Sequence, residues 1–359
     1  MSDPVAWDIA EKVAARVGGR EPLADSYLYA SLQPDFEELT ALAEELVADV
    51  TGMRSLQGPA RARVTDRAGW VTANVASFQR LLRPVLDKLA PRISSSPVAP
   101  VTRAVAGVQL GTMLGWMSTR VLGQYDLLLV EGEDVENQDL VYFVGPNVLS
   151  LEKRFDFPPR EFRLWLALHE VTHRVQFTGV EWMRPHFLSL VERTLQGIDP
   201  DPGRFLDALK RAVDQVRAGH NPLDDGGIVA LLAGDEQHAA LQQVQGLMSL
   251  LEGHGDVTMN RAGQRRVPDA ERFHRTLHQR RKQATPAAKL LQKLIGLDAK
   301  LRQYEQGERF IAAVEADGGP ALFNRIWESP DHLPDLDEIR HPERWLTRIR
   351  TPQPSSSVT

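Results

Sequence analysis

The 359-residue sequence contains no cysteine. Disulfides, thiolate nucleophiles and cysteine-based metal sites are therefore excluded, and nothing points to an oxidising compartment. Long apolar runs are missing as well. An uncharged stretch from Ala104 to Thr119 is too short to span a bilayer, and it carries Gln109, Thr112 and Ser118. Met1-Ser2-Asp3-Pro4 places an acid where a secretory leader would carry positive charge. Neither sign of charge dominates: 42 Lys+Arg stand against 48 Asp+Glu, a net charge of −6. That balance argues against a general affinity for nucleic acid or anionic membrane. No repeat with a period of about 20–50 residues is evident, which sets aside solenoids and propellers. The expectation is a cytoplasmic protein; on oligomeric state the sequence is silent.

What is present is the composition of a globular protein, 42% apolar and 25% charged. The periodicity predicts helices through the first 90 or so residues. One is expected from Asp35, with Glu38 completing a capping box. Phe36, Leu39, Ala43, Leu46 and Val50 follow at helical spacing before Gly52. Another runs from about Ala68 to Leu89, with a kink or break expected at Pro84. Ser94 to Pro100 reads as a linker between an N-terminal helical region, residues 1–92, and a second region, 101–350. Residues 351–359 read as a disordered tail. Gly107, Gly111 and Gly115, four apart, predict a tightly packed helix. Tyr125–Val130 and Leu140–Gly145, separated by an acidic loop, predict a β-hairpin. The fold class is thus mainly α with a small β-hairpin or sheet, an α+β arrangement.

One motif carries chemistry. His169-Glu170-Val171-Thr172-His173 is His-Glu-x-x-His within an apolar helical stretch. Residues four apart share a helix face, so both imidazoles can reach one metal ion. Glu170 projects beside that ion, where it can take a proton from bound water whose pKa an open zinc site lowers to about 7. A shuffled chain of this composition would hold the pattern about 0.02 times. Arg174 departs from the strict protease form, which prefers an uncharged residue there.

A catalytic zinc needs a third protein ligand and keeps a fourth position open. The metzincin extension is excluded, because Gln176 and Gly179 occupy the positions of its Gly and third His. Glu252 is the favoured third ligand. Asp256, four residues on, shares its helix face and would orient a ligating His. Glu192, with 18 residues between it and His173 as in aminopeptidase-type gluzincins, is the first alternative. His254 is the second, as ligand or as donor to the transition state. The glycines at 253 and 255 disfavour a helix and suggest close approach to the metal helix.

Four blocks together resemble a family of bacterial zincin-like metallopeptidases: Val121 to Asp126, His169 to Phe177, Met248 to Asp256, and Gln303-Tyr304-Glu305-Gln306-Gly307. Its members are labelled as hydrolases or as associated with deazaflavin coenzyme biosynthesis. The resemblance spans roughly Asp66 to Arg348. It implies a zincin-type metal site on a largely helical scaffold and no particular substrate. It also draws attention to Tyr304, whose phenol would stabilise the oxyanion of a tetrahedral intermediate.

Other features have plainer readings. Basic residues between Arg261 and Lys293 form a solvated helical face, and His238 lies on a helix surface. Trp165, Trp182, Trp327 and Trp345 are packing residues. The strand Leu140–Gly145 is expected to align an extended substrate by strand addition. The sequence thus predicts a zinc-dependent hydrolase of the gluzincin kind acting on a peptide or small amide, with no nucleic acid or membrane partner. The competing expectation is a non-catalytic scaffold or partner-binding protein stabilised by a metal held by four protein ligands.

Overall fold

Helical periodicity dominates the chain, and the structure, a computed structural model, is mainly α with one small sheet. It describes residues 3–21, 23, 25–94, 99–127, 138–196, 235–282 and 297–351. Among these no helix is long and apolar enough to cross a membrane. The chain divides into two compact units, Met1–Glu181 with Thr258–Gln283, and Trp182–Val257 with Ala284–Thr359.

In the first unit, α1 (Trp7–Gly18) and α2 (Tyr27–Ala30) precede α3 (Leu32–Thr51). The last buries Phe36, Leu39, Ala43 and Val47 and ends at Gly52, whose φ of 71° suits a residue without Cβ. It begins before Asp35, so the expected capping box does not form. Asp35 and Glu38 instead bind Arg163 and Arg160, where a guanidinium offers a carboxylate a stronger partner than a backbone amide. Next come β1 (Arg61–Thr65), α4 (Arg67–Ser94) and α5 (Ala99–Ser118). No break occurs at Pro84. The glycine ladder of α5 packs on α1: a Cβ at Gly107, Gly111 or Gly115 would fall 2.3–2.6 Å from the carbonyl oxygens of Ala6, Ala10 and Ala14. The linker residues 95–98 lie outside the described residues.

The sheet contains β2 (Gly123–Tyr125) and β3 (Leu140–Val144), antiparallel as the hairpin reading requires, with Gly123 opposite Phe143. The first strand starts two residues earlier than expected and stops at Tyr125; residues 128–137, most of the acidic loop, lie outside the described residues. β1 joins parallel to β3, pairing Arg61 with Leu140, a strand absent from the helical reading of this region. Its sequence, Arg-Ala-Arg-Val-Thr, alternates over only five residues with just Ala62 and Val64 apolar, and no residue in it is fully buried. The order β1-β3-β2 makes β3 the central strand. Phe143 stacks on Phe36 of α3 with ring centroids 3.8 Å apart.

After the sheet, α6 (Gly145–Phe155) leads into α7 (Pro159–Thr178). Arg163 of α7 binds Glu152 of α6 through a pair of hydrogen bonds of 2.8 and 2.9 Å. Burial pushes the Glu152 carboxyl above its ordinary range, and Arg163 opposes that shift.

The second unit contains α8 (Met183–Gln196), most of α9 (Asp235–Gly263), α11 (Leu297–Asn324), α12 (Leu336–Arg340) and α13 (Pro342–Arg350). The last turns of α9, from Thr258, belong with the first unit, as does α10 (Ala270–Lys282). α9 and α11 cross at two glycines. A Cβ at Gly307 would lie 2.0 Å from the Ser249 oxygen, and one at Gly253 would lie 2.4 Å from the Gly307 carbonyl carbon. Gly253 therefore admits α11, not the metal helix that the sequence reading supposed. Asp335 and Glu338 cap α12 reciprocally, and Trp345 of α13 is fully buried against Phe310. Trp182 donates to the Trp327 carbonyl, and Trp165 packs edge-on to Phe273 of α10, in keeping with packing roles. Part of the basic stretch, residues 283–293, and the tail from 352 lie outside the described residues.

Candidate metal centre

α7 starts on Pro159, whose fixed φ suits a first helical turn, and ends before Gly179. From Phe162 to Thr178 every residue is buried except His169 and His173, which are half-buried. A helix enclosed on all sides is thus uncovered along the single line where its two histidines emerge.

Their rings are nearly perpendicular, at 85°, and Nε2 of one faces Nε2 of the other at 3.2 Å. Tetrahedral zinc with bonds of about 2.0–2.1 Å holds its ligand atoms about 3.3 Å apart. The two nitrogens therefore already have the separation of a shared ion. On the far side of the second ring, Nδ1 of His173 lies 3.0 Å from Oε1 of Gln176, which is fully buried.

Glu170, 8% exposed, turns toward the sheet. A Cβ on Gly123 of β2 would lie 2.7 Å from its Cγ and from Oε1. The carboxylate occupies the space that a side chain at position 123 would fill. Two polar groupings fix the same strand. Gln124 accepts from Trp70 Nε1 at 2.8 Å and donates to Asn74 Oδ1 at 3.1 Å. Tyr125 donates its hydroxyl to Asp139 at 3.0 Å.

Asp139 connects the strand to Arg174, whose guanidinium is fully buried. Arg174 reaches Asp139 at 2.6 Å, Glu44 of α3 at 3.0 Å and the Gly58 carbonyl at 2.9 Å. The charge that departs from the strict motif thus points away from the histidine line into an ion-paired pocket. Bidentate contacts of this kind suit a planar guanidinium.

Among the described residues, the donors that could hold a metal ion are His169 and His173 of the first unit and Glu252 of the second. Two imidazoles and a carboxylate make up the donor set of many open zinc sites, with a fourth position left over, so the residues fit a catalytic divalent cation. Glu252 is buried at 3% exposure on α9, and Asp256, buried at 5%, follows one turn later. Glu192 is exposed on α8 and is not in this group. His254 is buried and packs its ring against Phe323 and Trp327, at 5.6 and 5.0 Å between centroids. The side chains of Tyr304 and His238 lie outside the described residues.

Neither Gly123 nor Gln176 stands out as a site residue in the sequence. Gln176 stands three residues after His173 on the same helix, within reach of its ring. Gly123 carried no signal beyond its place in the Val121 to Asp126 block.

Comparison with known proteins agrees with this chemistry. The family model for zincin-like metallopeptidases matches residues 5–346. A solved structure from Chloroflexus aurantiacus, described as "a putative hydrolase with a novel fold", shares 32% identity with a TM-score of 0.71, covering 97% of this chain and 100% of that one. No curated protein matches.

Proposed function

The chain belongs to the zincin-like metallopeptidase family, and we propose that it is a zinc-dependent hydrolase of peptide or amide bonds. The observation that carries this reading is the 3.2 Å approach of the two Nε2 atoms on the one uncovered line of α7. In the proposal His169, His173 and Glu252 hold the ion. When bound, such an ion polarises a carbonyl and acidifies water.

The remaining roles fall to the chain's own groups. Glu170 takes a proton from the attacking water and later passes it to the leaving nitrogen. Gly123 leaves room for that carboxylate, and the burial of Glu170 keeps bulk water from competing for its proton. Asp256 orients a ligating imidazole; since Gln176 already takes Nδ1 of His173, that imidazole is His169. Tyr304 steadies the developing oxyanion.

The strand expected to align substrate has to change. β3 is flanked on both sides, by β1 and β2, and cannot accept another strand. The outer side of β1 is occupied too: the Gln33 side chain donates to Ala62 O at 3.0 Å and accepts from Val64 N at 2.7 Å. β2, at the other edge and beside Glu170, is the strand along which an extended substrate would lie.

Glu170→Gln tests the proton role. It should retain metal while lowering turnover by about 10²–10⁴-fold, the usual contribution of a positioned base. Metal content and hydrolysis of a peptide library, measured side by side, check this; full activity in the variant would remove Glu170 from the mechanism.

A further inference from the structure

We infer that Gln176 is a positioning residue for the metal centre: it selects the tautomer of His173 that leaves Nε2 unprotonated. The inference rests on the metal-site reading above.

Oε1 of Gln176 lies 3.0 Å from Nδ1 of His173. An amide oxygen only accepts, so Nδ1 must carry the proton and donate. A neutral imidazole holds one such proton, and its second nitrogen then presents a lone pair. That nitrogen is Nε2, the atom facing His169 Nε2 at 3.2 Å. The opposite amide orientation would put an NH2 group against Nδ1. The ring proton would move to Nε2, and the atom aimed at the ion would have no lone pair.

Gln176 is fully buried, so no bulk water competes with His173 for its amide oxygen. The i, i+3 spacing on α7 means that the helix carrying the ligand also carries its orienting partner. The choice of tautomer is therefore built into α7 and does not depend on a distant loop. A neutral amide sets the proton without adding charge. A carboxylate at the same place would also make the imidazole more basic.

The test uses the full chain with ¹⁵N-labelled histidine, together with Gln176→Leu and Gln176→Glu. Long-range ¹H–¹⁵N spectra of metal-free protein identify the protonated nitrogen of His173, its signals assigned by their loss in His173→Ala. The wild type should show the proton on Nδ1, and Gln176→Glu should keep it there. Gln176→Leu should show a tautomer mixture and bind zinc about 10–100-fold more weakly in chelator competition. Gln176→Glu should restore wild-type affinity or exceed it, a rescue that simple loss of packing would not give. Predominant Nε2 protonation in the wild type would overturn the inference. So would unchanged zinc affinity in folded Gln176→Leu. If Gln176→Leu fails to fold, the wild-type and Gln176→Glu spectra still decide the tautomer. Failure of the wild type to bind zinc would refute the metal-site reading separately, because the tautomer is read without metal.

Discussion

At the scale of single residues, the site depends on what surrounds three side chains of one helix. His169, Glu170 and His173 were legible because His-Glu-x-x-His is rare and its spacing follows from helix geometry. The groups that hold them were not legible. Gly123 is a glycine because the Glu170 carboxylate lies against its Cα, a contact between positions 47 apart in sequence that no local pattern encodes. Gly123→Ala should retain metal and the fold but cost about 100-fold in turnover, as expected when a reacting group is displaced by about 1 Å. Metal analysis and turnover of the same preparation test it; undiminished activity would mean that the carboxylate works from another position. Arg174 teaches a similar lesson. As a letter it looked like a departure from the motif, whereas in the structure it binds Asp139 and Glu44 on the side of α7 away from the histidine line.

At the scale of elements, periodicity located most helices, and errors arose where a stronger partner or a missing pattern intervened. The capping box expected at Asp35 and Glu38 gave way to arginines on α7. β1 escapes a helical reading of the first 90 residues because its alternation is five residues long and rests on Ala62 and Val64 alone, too short a signal between two long helices. The glycine ladder of α5 was read correctly as a close-packed face, since three glycines four apart serve little else on a helix. Gly253 marks a close approach, as its sequence context suggests, but the neighbour it admits is Gly307 of α11. That crossing has a sharp requirement. Gly307→Ala would place a methyl group 2.0 Å from the Ser249 oxygen, so the helices must part. Overpacking of this kind costs about 1–3 kcal/mol or more, and the variant should unfold at lower denaturant concentration. A midpoint equal to that of the wild type would show that the crossing yields without cost.

At the scale of the whole molecule, the absence of cysteine and the near balance of charge leave a site of imidazole and carboxylate as the available metal chemistry. The family match over residues 5–346 agrees with it. The pair of histidines could be read from sequence, but the choice of the third ligand could not, because three candidates stood at plausible separations. Glu192 is exposed and His254 packs among aromatic rings, whereas Glu252 is a buried carboxylate on α9 and is the proposed third ligand. The most direct measurement is metal content by native mass spectrometry of the wild type, Glu252→Ala and Glu192→Ala. About one zinc per chain is expected in the wild type and in Glu192→Ala, with selective loss in Glu252→Ala. Loss in Glu192→Ala alone, or no metal in folded wild type supplied with zinc, would contradict the proposed centre.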